Sequence, residues 1–224
     1  MKNFIFQKKN FSNSCKYEIE LLIRGLEELK INQSSAIGRF QIYLETLFEY
    51  RNKIHLISHK DYERITLRHF LPSLVALPFI GEAKTACDIG AGAGFPSIPI
   101  KIIRPEIKLT LFESQRKKAR FLKVLIERLN LSNICVIDKR AENYEGDGFD
   151  LVLIKAAGKI KDLIDTFNLL LNPSGRVIFY KSPMVDEEVS QAKEKILKFG
   201  FLPRIELVTT PIEKRKMALV ILTK

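Results

Sequence analysis

The residues best spaced for chemistry are Asp88, Gly90, Gly92 and Gly94, in Thr85-Ala-Cys-Asp-Ile-Gly-Ala-Gly-Ala-Gly-Phe-Pro96. A short apolar run, residues 83–89, breaks at the first glycine, and a helix-like stretch follows from Pro96. This pattern predicts a strand, a tight turn and a helix N-terminus, the nucleotide-binding corner of an α/β sheet. Glycines at alternate positions allow positive φ and let a ligand approach with no Cβ in the way. Asp88, at the end of the strand, would point a carboxylate at the same crevice.

The neighbours narrow the ligand. A dinucleotide turn needs a small residue where Phe95 stands, and the ring would clash there. A phosphate-binding P-loop needs Gly-Lys-Ser/Thr, which does not follow. Glu113 ends the second predicted strand, where a carboxylate can accept both hydroxyls of a ribose. An adenosine compound without phosphates fits these features, which suggests S-adenosylmethionine. Lys139-Arg-Ala-Glu142, after the third strand, offers an acid that could face the adenine edge.

Strand 149–154 ends in Lys155-Ala-Ala-Gly158, at the carboxyl end where doubly wound folds place groups beside a reacting centre. The Asn/Asp-Pro-Pro-aromatic tetrapeptide that orients exocyclic amines is absent. Cys87 and Cys135 lie within predicted strands and read as core, so no cysteine nucleophile is offered. A lysine suits a target that needs no proton removed, such as guanine N7, with catalysis by proximity and orientation. Lys155 is therefore the best candidate for positioning a guanine, through O6 or a phosphate. A lysine capping a strand end in solvent is the plainer alternative. No proton-transferring catalytic residue is assigned.

Arg116, Lys117, Arg120 and Lys123 recur at three- and four-residue steps and share one face of a predicted helix over 114–130. Ser114 reads as its N-cap. This basic stripe, joined by Lys181, could hold an RNA backbone. His69 reads as structural. The net charge of +11 favours a polyanionic partner, nucleic acid or an acidic membrane surface, with general solubility as the plainer explanation.

The elements that must position these groups fall into two sets. Residues 1–80 carry helical periodicity: Ile19, Leu22, Ile23, Leu26 and Leu29, then Ile37, Phe40, Tyr43, Leu44, Leu47 and Phe48. Asn32-Gln-Ser-Ser35 reads as a loop with Ser34 or Ser35 as an N-cap, and a third helix covers 61–77 with a kink at Pro72. Residues 81–224 alternate strands (84–89, 108–113, 133–138, 149–154, 175–181, 202–209, 216–223) with helices (96–104, 114–130, 159–171, 185–199). That alternation predicts a Rossmann-like, seven-stranded, mainly parallel sheet ending in an antiparallel hairpin around Thr210-Pro-Ile-Glu213.

No apolar run approaches the roughly 20 residues of a membrane helix. The apolar part of Met1–Lys9 is too short for a signal peptide. Three scattered cysteines, Cys15, Cys87 and Cys135, lack metal-ligand spacing and suggest a reducing cytoplasm. A cytoplasmic monomer with no metal and no membrane partner is expected.

With these residues in view, the chain resembles the bacterial 16S ribosomal RNA (guanine-N7)-methyltransferases, the glucose-inhibited division protein B family, from about residue 40 onward. The most specific match is Asp88-Ile-Gly-Ala-Gly-Ala-Gly-Phe-Pro-x-Ile-Pro99. Arg104-Pro105, Glu113-Ser114, Lys117-Lys118-x-Arg-Phe-Leu122 and Arg140-Ala-Glu142 agree in order and spacing. The resemblance implies an S-adenosylmethionine fold behind an N-terminal helical segment, acting on 16S rRNA or the small ribosomal subunit. It implies that Gly90, Phe95, Ala141, Glu142 and Lys155 lie at the cofactor; the residue-level reading adds Asp88, Gly92 and Glu113. Departures at His55, Ile57, Pro72, Ser97, Lys155 and Ser182 touch the substrate side more than the turn. A non-catalytic RNA-binding factor on the same scaffold, or a small-molecule methyltransferase, are the competing readings.

Overall fold

The computed structural model describes residues 2–32 and 34–224, with side chains from Ser14 onward; Met1 and Gln33, part of the N-terminal stretch and of the 32–35 loop read above, lie outside the described residues. The strands are β1 (Thr85–Ile89), β2 (Lys108–Phe112), β3 (Ile134–Ile137), β4 (Phe149–Lys155), β5 (Leu171–Lys181), β6 (Leu202–Thr209) and β7 (Lys216–Thr223). They form one sheet in the order β3-β2-β1-β4-β5-β7-β6. β1 pairs in parallel with β2 and β4, bringing Asp88 opposite Leu111 and Leu153. β7 runs antiparallel to both β5 and β6. Strand order reverses between β1 and β4, so the crevice beyond their carboxyl ends is where such sheets bind ligands.

Both faces are covered, as a parallel sheet requires. Along β4 the period of two sends Leu151 and Leu153 to one core and Val152 and Ile154 to the other. On the second side α6 (Ile160–Leu170) and α7 (Asp186–Lys198) supply Ile164, Phe167 and Ile196. On the first side lie α4 (Ser97–Ile103) and α5 (Arg116–Arg128), together with the N-terminal helices.

α1 (Lys2–Glu28) and α2 (Ile37–Tyr50) follow the predicted periodicity, with Leu22, Phe40, Tyr43, Leu44 and Leu47 fully buried. The Ser34/Ser35 cap does not form: Ser34–Ala36 makes a 3-10 turn and Ala36 precedes α2 with no side-chain bond. The predicted helix 61–77 is divided into a 3-10 turn (His59–Glu63), a π-helical turn (Thr66–Phe70), the short α3 (Leu71–Leu74) and a 3-10 turn (Leu77–Phe79). Two bonds account for the break at Thr66. Its N–H donates to buried Glu18 Oε2 at 2.6 Å, and its hydroxyl donates to the Glu18 carbonyl at 2.9 Å. Pro72 sits in the first turn of α3, where its missing N–H costs nothing.

The helical segment and the sheet share one core, since Phe40, Phe70 and Leu74 pack in the same cluster as Leu111, Leu153 and Ile178. Polar ties cross the same boundary. Tyr180 Oη donates to the Ser73 carbonyl at 2.8 Å, and Arg176 donates to the Phe79 carbonyl at 3.0 Å. Among the described residues no helix is long and apolar enough to cross a membrane. Phe40→Ala is expected to cost about 3–5 kcal/mol. Urea unfolding followed by far-ultraviolet circular dichroism and by tyrosine fluorescence should shift as a single transition; a separate early transition would contradict the shared core.

Candidate active site at the glycine turn

The turn after β1 is built on three residues with left-handed backbone: Gly90 at φ +73°, Gly92 at +57° and Gly94 at +99°. Gly90 and Ala91 donate their N–H groups to the Phe112 carbonyl at 2.9 and 3.0 Å, holding the turn over β2. Glu113 locks it further. Its Oε2 accepts from Gly92 N–H and its Oε1 from Gln115 N–H, both at 2.8 Å. From the other side Tyr43 Oη donates to the Ala93 carbonyl at 2.7 Å. A Cβ on Gly94 would lie 2.7 Å from that hydroxyl, so only glycine fits beneath Tyr43.

The turn then delivers Phe95 into an aromatic column. Tyr43 stacks on it at 5.3 Å and 15°, and His69, from the π-helical turn, stacks at 4.6 Å and 21°. Lys155 Nζ lies 5.3 Å from the same ring, within cation–π range.

Two chambers meet at Gly90. The first, about 210 Å³, is lined by Ile57, His69, Gly92, Phe95, Lys118 and Lys155 among others. The second, about 280 Å³, is lined by Ile89, Phe112, Ser114, Ala141, Glu142 and Leu163 among others. A Cβ on Gly90 would approach Ala157 Cβ to 3.1 Å, so a side chain there would crowd the junction, on a backbone at φ +73° that favours glycine. A third chamber, about 450 Å³, lies on the far side of Lys155 and Ala156.

The electrostatics of this crevice follow from burial. Desolvation pushes the Lys155 ammonium down to about 8, helped by the positive charge of Arg215, and its Nζ has no hydrogen-bond partner. Burial, then the charge of Lys155, pushes His69 down to about 3, so the ring is neutral. Both its nitrogens lack partners, with Asp61 Oδ2 still 3.4 Å from Nε2. Burial raises Asp88 to about 7 against the opposing bond from Ser97 Oγ, 2.5 Å from Oδ2.

A model of the family described as rRNA small subunit methyltransferase G matches residues 36–213. The chain belongs to this family. A relative named Ribosomal RNA small subunit methyltransferase G from Staphylococcus carnosus is 36% identical over 201 residues, 86% of this chain and 83% of that protein. One of the same name from Oceanobacillus iheyensis is 32% identical over 214 residues, 92% and 90% of the two chains. The fold resembles an O-methyltransferase from Bacillus cereus solved with SAH, with a TM-score of 0.59 at 15% identity over 89% of this chain and 95% of that one. It also resembles M. jannaschii TYW2 solved with AdoMet, with a TM-score of 0.57 at 16% identity over 77% and 78%.

In this member of the family, Gly90, Gly92, Phe95 and Lys155 come together around the first chamber, and Gly90, Ala141 and Glu142 around the second. Asp88 and Glu113 line neither. Asp88 is fully buried on Ser97, and Glu113 is engaged by the backbone N–H groups that shape the turn. Arg116, Lys117, Arg120 and Lys123 are exposed along α5, as their spacing predicts. Lys181 does not join them; it pairs with Glu188 at 2.7 Å and donates to the Gly158 carbonyl at 2.9 Å. Ser114 leaves the α5 N-terminus to Gln115, which caps it with no side-chain bond. Cys87 is buried, whereas Cys135 is exposed because β3 is the edge strand. His69, Ile57 and Lys118 complete the first chamber, and their roles are visible only in three dimensions.

The raised Asp88 has a signed consequence. Its native form keeps a proton that the unfolded chain releases near pH 4, so this group lowers stability as pH rises from about 4 to about 7. Asp88→Asn, which keeps an acceptor for Ser97, is expected to raise the melting temperature more at pH 8 than at pH 4.5. Equal shifts at both pH values would contradict the buried, protonated carboxyl.

Proposed function

We propose that this chain transfers a methyl group from S-adenosylmethionine to N7 of a guanine in small-subunit ribosomal RNA. The observation that carries the reading is family membership across residues 36–213, coinciding with the crevice built around Gly90. The residues suit the cofactor. Phe112, Ala141 and Leu163 give the second chamber apolar walls for an adenine, with Glu142 at hand for a polar edge. The turn from Gly90 to Phe95 leaves room for an amino-acid end. Glu113 fastens Gly92 and Gln115 through their N–H groups and so shapes the turn against which a ribose would lie. When bound, S-adenosylmethionine supplies a methyl on cationic sulfur; that bond breaks as the N7 lone pair forms the new one, leaving a thioether and a cationic 7-methylguanine.

The choice of N7 follows from what faces the site. His69, at about 3, is too weak a base to strip a proton, and Lys155, at about 8, is mostly protonated at neutral pH. N7 presents an in-plane lone pair and has no proton to lose, so the protein's task is orientation. The ammonium of Lys155 would donate to guanine O6, a contact that adenine, with an amino group there, cannot accept. Phe95 holds the lysine from below, and the exposed cations of α5 supply contacts to the RNA backbone. On this reading the chain works as a monomer in the cytoplasm, on the small subunit or its RNA.

Incubation with labelled S-adenosylmethionine and small subunits lacking the modification should yield 7-methylguanine by mass spectrometry. Gly90→Val should abolish cofactor binding, because the branched side chain is strained at φ +73° and closes the junction. Bound cofactor with no new 7-methylguanine would sink the reading. Loss of the Lys155 proton should make kcat/KM for RNA fall above about pH 8. Lys155→Arg, charged throughout, should hold its rate to higher pH; an identical alkaline limb in both proteins would remove Lys155 from the mechanism.

A further inference from the structure

The third chamber lies beyond the glycine turn, and of the family positions named above only Lys155 and Ser182 reach it. Its walls include Lys155, Ala156, Tyr180, Arg215, Lys216 and Met217, and at about 450 Å³ it lies within the usual range of about 300–1,000 Å³ for ligand sites. Lys155 and Ala156 are its common wall with the glycine-turn chamber, and the Lys155 ammonium there is buried and unpartnered.

The turn between β6 and β7 sorts its charges in an informative way. Lys214 bonds Glu28 at 2.5 Å, and Glu213 pairs with Arg64, so both are tied to the N-terminal helices. Thr210 clamps the backbone of Arg215: its N–H donates to the Arg215 carbonyl at 2.9 Å, and its hydroxyl accepts from Arg215 N–H at 3.2 Å. The side chains of Arg215 and Lys216 are exposed and belong to no ion pair among the described residues. Lys181, the other cation of the chamber, is already neutralised by Glu188. A fixed backbone thus presents two free cations over a chamber that ends at an unpartnered ammonium. A guanidinium and an ammonium so placed match phosphate oxygens, the guanidinium by a bidentate fork.

We propose that this chamber receives the target nucleotide of the RNA, with Arg215 and Lys216 holding its flanking phosphates while the base reaches Lys155. The proposal rests on the reading of the chain as an RNA methyltransferase. Nucleotide entry is then on the β5–β7 side, and the α5 stripe holds RNA further from the reacting atom. Tyr180 and Met217 line the chamber, and Met184, 89% exposed on the loop after β5, stands free to meet RNA.

Filter binding of 16S RNA, with titration of AdoMet and methyl-transfer kinetics on the same preparations, tests this. Arg215→Ala/Lys216→Ala should weaken RNA binding tenfold or more, and lower the slope of log affinity against log salt by about 1.5–2 for two lost phosphate contacts. AdoMet affinity should stay within twofold of wild type. If the wild type methylates RNA while the double variant binds it as tightly with the same slope, the proposal is overturned and the methyltransferase reading stands. Wild type that binds AdoMet but methylates no RNA overturns that reading and the proposal with it. Should the double variant lose AdoMet affinity, Arg215→Gln alone is read by the same criteria, with a slope change near one.

Discussion

Phe95 lies between two flat neighbours, the phenol of Tyr43 and the imidazole of His69, with the Lys155 ammonium facing the same ring. Each contact belongs to a different part of the chain: α2, the π-helical turn and the end of β4. Shifting the ring would disturb all three at once, because close-packed interiors transmit displacement instead of absorbing it. The column explains why the N-terminal helices share a core with the sheet instead of hanging from it. It also explains how a lysine can be held buried without an ion-pair partner, since the aromatic face of Phe95 partly offsets its desolvation.

Beneath the column, the turn is shaped by acids that do not reach a ligand chamber. Glu113 fastens Gly92 and Gln115, and Asp88 takes the Ser97 hydroxyl. This division of labour separates groups that build the backbone from groups that face a ligand. In the first chamber the latter are a neutral imidazole, two lysines and apolar walls, a set suited to orientation and unsuited to proton transfer.

The sheet was legible in the sequence because its strands are short apolar runs between helical stretches, a contrast of periods that survives without three-dimensional context. β5 starts early, at Leu171 instead of Gly175: Leu171, expected to end a helix over 159–171, pairs with Phe149 before a register shift. Residues 59–79 were less legible, since Glu18, far away in sequence, takes Thr66 N–H and interrupts a helix that local periodicity favours. The glycine turn stood out from spacing alone. The burial of Lys155 and His69 did not, because a strand-end lysine looks solvated until the aromatic column covers it; nor did the freedom of Arg215 and Lys216, which shows only once Lys214 is seen to take Glu28 and Glu213 to take Arg64.

The position of β7 between β5 and β6 bears on how the molecule comes into being. Residues 216–223 follow the other six strands of this sheet in chain order, yet they fill an interior place in it. Until they emerge, β5 presents a bare edge with Ile178 and Tyr180 along it, and β6 has nothing to pair with. The turn that fastens to Glu28 and Arg64 also arrives at this stage, closing contacts that span most of the chain. Completion of this sheet therefore waits on its seventh strand, and a nascent chain that has not yet presented β7 is an open sheet in need of protection.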